Sequence, residues 1–273
     1  MFGMACRDMK IELKNETGLT AEDGSGAGQA GKALADRSFS QIGPADFPLL
    51  IERIKRLLHK MEFRPSRRFR RVQRSQRIDI EQTINSSFRH GGVMFNLGFR
   101  KQRRRQPRVL ILCDVSASMI RHVRFTLPLL FGMTRGSKST AAYICAGDLE
   151  PVTSYFRKET DFQKATEWLL RETLQVGRGT CLAHAFQKLY EQRETPIDSS
   201  TCLLIVSDAE TMEPAETVAA LRLLSKRARQ IVWLNTDPRQ QWKQSSLNTQ
   251  LQRYCRMEEC TTLAKTIRIL KSI

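Results

Sequence analysis

From Arg108 onward the chain is a series of short, unbroken apolar runs separated by segments with helical spacing, and no other feature restricts its fold as much. The runs occupy 109–113, 141–145, 202–206 and 231–234. An apolar run without alternation fits a strand covered on both faces. Between the runs, Val123, Leu127, Leu130 and Phe131 share one helical stripe, and Leu182, Ala185, Phe186 and Leu189 share another. Val218, Leu221, Leu224 and Ala228 follow Pro214, which suits a helix start. Leu263, Ile267 and Leu270 predict a C-terminal helix. Such alternation predicts an α/β fold over 107–273: a doubly wound, mostly parallel sheet flanked by helices and joined by right-handed crossovers. Residues 152–156 read as a hairpin partner of the second strand.

The upstream part is of another kind. Residues 1–45 are rich in Gly, Ala, Ser and polar residues and bury too little to offset their ordering entropy, so they read as disordered. Residues 46–106 read as a basic, partly helical extension. Phe47, Leu50, Ile51, Ile54, Leu57, Leu58 and Met61 recur at steps of three and four. Ile80, Ile84 and Phe88 suggest a second helix ending at Gly91-Gly92. The chain carries a net charge of +17, and 51–108 holds 18 Lys/Arg against four acidic residues, which gives +14 there.

The 273 residues contain no apolar run of about 18, so no membrane span is expected, and the first residues lack the apolar core of a signal peptide. A cytoplasmic protein is the default. The seven cysteines are odd in number and irregular in spacing. Cys113, Cys145 and Cys202 fall in strand-like runs, where thiols pack as small hydrophobes. Cys255 and Cys260 have no second pair nearby, and reduced thiols are the plain expectation.

In open α/β sheets, ligands bind outside the carboxyl ends of the strands. Three polar elements fall there: Asp114-Val115-Ser116-Ala117-Ser118, then Gly177-Arg178-Gly179-Thr180, then Ser207-Asp208. From them, Asp114 and Asp208 with Ser116, Ser118 and Thr180 offer two carboxylates and three hydroxyls, an all-oxygen set suited to a hard cation such as Mg2+. Two negative charges against a divalent ion leave a near-neutral cage, and the ion stays electrophilic toward a carboxylate from another protein.

The D-x-S-x-S of Asp114, Ser116 and Ser118, the loop Thr180 and the strand-end Asp208 resemble the metal-ion-dependent adhesion site of von Willebrand factor A domains. RRQPRVLILCDVSASM, GRGTCLAHAF, LLIVSDAE and RARQIVWLN, with RIDIEQTINSSFRHGG upstream, are similar to the CoxE-like subgroup over residues of about 65 to 270. The resemblance implies Mg2+ or Mn2+ bound by Asp114, Ser116, Ser118, Thr180 and Asp208. The serines bind directly, the threonine directly or through water, and the aspartates largely through water. It also implies a non-enzymatic, metal-dependent protein-binding adaptor. This would work with a MoxR-type AAA+ ATPase in maturing or remodelling an acidic client, often a metalloenzyme. The chain departs from the subgroup in having GRGT where GGT is usual, and SDAE where an aromatic usually follows the aspartate. Neither change removes a ligand oxygen, and Arg178 beside the loop bears on which acidic ligand is accepted.

Other readings compete. The basic 51–108 tract is a solvated face, a dock for an acidic partner, or a nucleic-acid-binding module. Few phenylalanines (Phe63, Phe69, Phe88, Phe95, Phe99) interleave its cations, and the helical stripe suggests that at least two are packed. Ser116, His184 and Asp208 lack the G-x-S-x-G elbow of a hydrolase. Asp114 lacks the second aspartate two residues on that phosphotransferases use, and no P-loop is present. Trp168 and Trp233 are most simply core.

Overall fold

The computed structural model describes residues 43–60, 64–72, 78–88, 97–105, 108–242 and 244–272. The stretch expected to be disordered lies outside them apart from residues 43–45, where Pro44–Asp46 forms a 3-10 turn. The expected helix stop at Gly91-Gly92 also lies outside. Two units are distinct, one of residues 61–107 and one of the rest.

The larger unit is built on six strands. In chain order they are β3 (Arg108–Asp114), β4 (Thr140–Cys145), β5 (Leu149–Pro151), β6 (Thr201–Val206), β7 (Gln230–Asn235) and β8 (Arg256–Glu259), and in space β5-β4-β3-β6-β7-β8. The β1 and β2 strands, Arg64–Val72 and Phe99–Arg105, belong to the smaller unit. All pairings of the six-stranded sheet are parallel except β4–β5. The doubly wound sheet is therefore present as expected, with two edge strands that the apolar runs do not mark. After β3 the chain steps to β4 on one side, then returns to β6 on the other. The β3/β6 boundary is thus the topological switch point, where loops leave neighbouring strands in opposite directions and open a crevice.

Both faces of the sheet are covered, which is why its central strands are apolar throughout. On one face, Leu110, Leu112, Leu203, Ile205 and Trp233 pack against Leu182, Phe186 and Leu189 of the Leu182–Glu191 helix. Leu221 and Leu224 of the Pro214–Arg227 helix join the same cluster. The Phe186 and Trp233 rings meet edge to face at 6.0 Å, so Trp233 is core, as expected. Trp168 instead stacks on Tyr155 at 3.8 Å. The opposite side of β3 and β4 is covered by the Val123–Gly136 helix, with the Phe47–Lys60 helix packed over that in turn.

This last contact moves a boundary. The sequence places residues 47–60 in the extension, whereas their apolar stripe is part of the larger unit's core. Phe47, Leu50, Ile51, Ile54, Leu57 and Leu58 are all buried. The helices approach closely because Gly132 and Gly136 present no side chain. A Cβ on Gly132 would lie 3.1 Å from the Ile54 Cβ, and one on Gly136 2.8 Å from a Leu58 methyl.

Residues 152–156 do not form the hairpin strand. β5 ends at Pro151, Val152 caps the Thr153–Lys158 helix, and Val152 and Phe156 are both buried. Their spacing of four is a helical period.

In the smaller unit β1 and β2 pair antiparallel, with the Ile80–Phe88 helix between them in sequence. Gly98 N–H donates to Thr83 Oγ1 at 3.0 Å, and Asp79 N–H to the Gly98 carbonyl at 2.7 Å, which ties the helix start to the base of the ribbon. Ile80, Ile84 and Phe88 do share a helix, but all three are exposed and Phe99 is only half-buried. Packed phenylalanines are therefore not seen at these two positions, and Phe63 and Phe95 lie outside the described residues. No helix among the described residues is long and apolar enough to cross a membrane.

Candidate metal centre

Asp114 is the last residue of β3, and Ser207-Asp208 directly follow β6, so both carboxylates sit in the switch-point crevice. Asp114 is 1% exposed and Asp208 3%, which takes both acids out of bulk water. One Asp114 oxygen accepts from Ser116 N–H at 2.9 Å, closing an Asx turn that swings the chain off the strand. The other accepts from Ser207 Oγ–H at 2.8 Å. Ser116 Oγ and Ser118 Oγ stand 3.3 Å apart, Ser116 buried and Ser118 half-buried.

The Thr180 loop is stitched to both neighbours by backbone. Gly177 N–H donates to the Val115 carbonyl at 2.9 Å, and Ala117 N–H to the Arg178 carbonyl at 3.1 Å. Met212 N–H, beyond β6, donates to the Thr180 carbonyl at 3.1 Å. Gly177 has φ +79°, the left-handed region that glycine enters without strain, and it makes the turn that carries Thr180 inward. Thr180 is buried. All five expected residues thus lie on three segments that are hydrogen-bonded to one another pairwise.

Burial is the main reason that the Asp114 carboxyl is pushed up to about 7, with the nearby Asp208 charge adding to it, while hydrogen bonds from Ser116 and Ser207 pull the other way. Asp208 Oδ1 accepts from Glu210 N–H at 3.0 Å, but Oδ2 is fully buried and has no hydrogen-bond partner. The turn that places it is tight: Ala209, next in the chain, has φ +66°.

Sequence reasoning missed the residues that hold this arrangement in place. Ser207 was seen only as a neighbour of Asp208, yet its hydroxyl donates to Asp114 and accepts from Ala209 N–H at 3.0 Å. The Trp233 indole N–H holds the Ser207 carbonyl at 3.1 Å. Asn235, at the end of β7, is fully buried and reaches the Asp208 carbonyl at 3.5 Å. A polar residue closing an apolar run was the one available signal for it. At the rim, Arg121 pairs with Asp237 at 3.0 Å.

The competing arrangements find other partners. His184 lies 3.4 Å from Asp148, beside Lys188, and not in the crevice hydrogen-bond set. The Cys260 thiol meets Thr266 Oγ1 at 3.1 Å, and Cys255 donates to the Leu251 carbonyl at 3.3 Å. Of the six described cysteines, five are buried and Cys181 is half-buried. Among the described residues no three His, Cys, Asp or Glu side chains gather as a metal-binding group.

A mixed, mostly parallel six-stranded sheet, with a carboxylate–hydroxyl crevice at its switch point, is the architecture of a von Willebrand factor A-type domain. The family model for VWA domain-containing CoxE-like protein matches residues 50–268, and the chain belongs to that family. The match takes in the Phe47–Lys60 helix from Leu50 onward, as well as the whole smaller unit.

Among solved structures, the chain is similar to conserved hypothetical protein BatB from Bacteroides thetaiotaomicron, with 13% identity, 60% of this chain and 95% of that one covered, and a TM-score of 0.43. It is also similar to the manganese-loaded TRAP protein of Plasmodium vivax, with 13% identity, coverage of 60% and 71%, and a TM-score of 0.41. A von Willebrand factor type A protein from Catenulispora acidiphila gives 12% identity, coverage of 64% and 44%, and a TM-score of 0.38. No curated protein matches the chain.

Proposed function

We propose that the chain is a non-enzymatic adaptor that binds an acidic partner through a divalent cation, Mg2+ or Mn2+, at the switch-point crevice. The observation that carries this reading is the buried, unpartnered Oδ2 of Asp208 beside the buried Asp114. Two carboxylates withdrawn from water, with no cationic side chain among the described residues bonded to either, form a site that a divalent ion neutralises. Oxygen donors alone are what a hard cation prefers.

Asp114, Ser116, Ser118, Thr180 and Asp208 would hold the ion. When bound, it supplies a Lewis-acidic position for a carboxylate of the partner. The chain's own residues do the rest. Ser207 and the Ser116 amide fix the orientation of Asp114, and the Thr180 loop closes the site from the side. The half-buried Ser118 lies where an incoming group meets solvent.

A MoxR-type AAA+ ATPase is the proposed coupled partner, and an acidic client, often a metalloenzyme awaiting maturation, is the proposed target, in the cytoplasm. Family membership supports this part of the reading. The test is capture of partners from lysate with and without Mg2+, by wild type and by Asp114→Ala. Capture that needs Mg2+ and disappears in the variant, with an unchanged circular-dichroism spectrum, is the expected result. Equal capture by both proteins in EDTA refutes it.

A further inference from the structure

The β1/β2 ribbon of the smaller unit is a second feature, independent of the crevice. Its strands read RPSRRFRRV and FRKQRRR, with five cations each and no acid in either. The register places Arg64 opposite Arg105, Arg70 opposite Lys101 and Arg71 opposite Arg100. Like charges directly opposite one another destabilise an antiparallel pair, and an isolated two-stranded ribbon is marginal even without them. A counter-charge that neither strand carries would relieve this repulsion.

The distribution of charge says what kind. Residues opposite one another share a face, and faces alternate along each strand. Arg64, Arg70, Lys101 and Arg105 lie on one face, and Arg71, Arg100 and Arg104 on the other. Neither face is left apolar to cover a core. An acidic patch on a folded protein would meet one face only. A ribbon that is basic on both sides suits a groove walled by anions on both sides.

The major groove of B-form DNA is about 12 Å wide and admits a two-stranded ribbon. Nine residues at about 3.4 Å each span roughly 30 Å. Over such a length, duplex DNA carries one charge per ~1.7 Å, enough to oppose all ten cations. The narrow, deep major groove of duplex RNA excludes the same ribbon. We propose that the Arg64–Val72/Phe99–Arg105 ribbon enters the major groove of duplex DNA and binds its phosphates without reading sequence.

The experiment uses the full chain and fluorescent 24-bp DNA duplexes of two unrelated sequences, titrated by anisotropy between 50 and 300 mM salt with EDTA present. If six of the ten cations meet phosphates, log K falls with log salt at a slope of about −5. Both sequences should bind alike, and duplex RNA at least tenfold more weakly. R70Q/K101Q removes one facing pair of cations from one face, and R71Q/R100Q one pair from the other. Each should weaken binding about tenfold at 100 mM salt, with no loss of thermal stability, since each also removes a like-charge pair. Absence of binding at 50 mM salt, a slope shallower than −2, equal affinity for duplex RNA, tighter binding to polyglutamate, or full affinity in either double variant overturns the proposal.

Discussion

Replacing Asp114 by Asn should stabilise the metal-free chain at neutral pH and abolish its stabilisation by Mg2+. The carboxyl is raised from its ordinary 3.8 to about 7, chiefly by burial. A rise of that size corresponds to ~4 kcal/mol of preference for the neutral form in the folded chain. Relaxation and water entry reduce the measurable part to about 1–3 kcal/mol. The sign follows from linkage. Because the folded-state value lies above the unfolded one, the wild-type penalty is absent below pH ~4, grows as pH rises, and levels off above ~7. Asparagine has the same shape, keeps the acceptor for Ser116 N–H, and carries no charge to desolvate. Urea denaturation in EDTA should therefore give similar stabilities at pH 4.5, and a variant more stable by about 1–3 kcal/mol at pH 8. With Mg2+ at a hundred times its dissociation constant, wild type should gain ~2.7 kcal/mol and the variant nothing. If D114N is less stable than wild type at pH 8 in EDTA, or the difference is the same at both pH values, the account of a charge-strained crevice is wrong.

Other outcomes follow from single contacts. Ser207→Ala removes the donor to Asp114 Oδ2, so calorimetry should show Mg2+ affinity reduced about tenfold, with about 1–2 kcal/mol lost in denaturation. Ile54→Ala in the Phe47–Lys60 helix should cost about 2–5 kcal/mol, since Ile54 is fully buried against Gly132; a loss under 0.5 kcal/mol would return that helix to the extension. Gly132→Val should cost about 1–3 kcal/mol by overpacking the same contact, read as a lowered melting temperature.

How much of this was legible turns on what each segment buries. β3, β4, β6 and β7 are covered on both faces, so their sequences are unbroken apolar runs and could be read directly. β8 reads RMEE because it is an edge strand that buries Met257 alone, and three residues of β5 are too short to carry a pattern. β1 and β2 were invisible for a different reason: arginine on both faces leaves no alternation to detect. Val152 and Phe156 misled because spacing alone does not separate a strand from one helical turn in a segment of five. The Ile80, Ile84 and Phe88 stripe gave the right helix and the wrong burial, since periodicity reports shape and not what covers it.

By itself, the sequence determined the alternation of strands and helices, the crowding of cations ahead of Arg108, and the five oxygen-bearing residues of the candidate site. Those depend on local composition, which a chain displays before it folds. Tertiary structure alone decided that β3 and β6 lie side by side with their loops diverging, that Ser207, 93 positions further along the chain, steadies Asp114, and that one oxygen of Asp208 is left without a hydrogen bond. Adjacency between residues more than ninety positions apart is set by how helices pack over a sheet, and no stretch of neighbours along the chain encodes it.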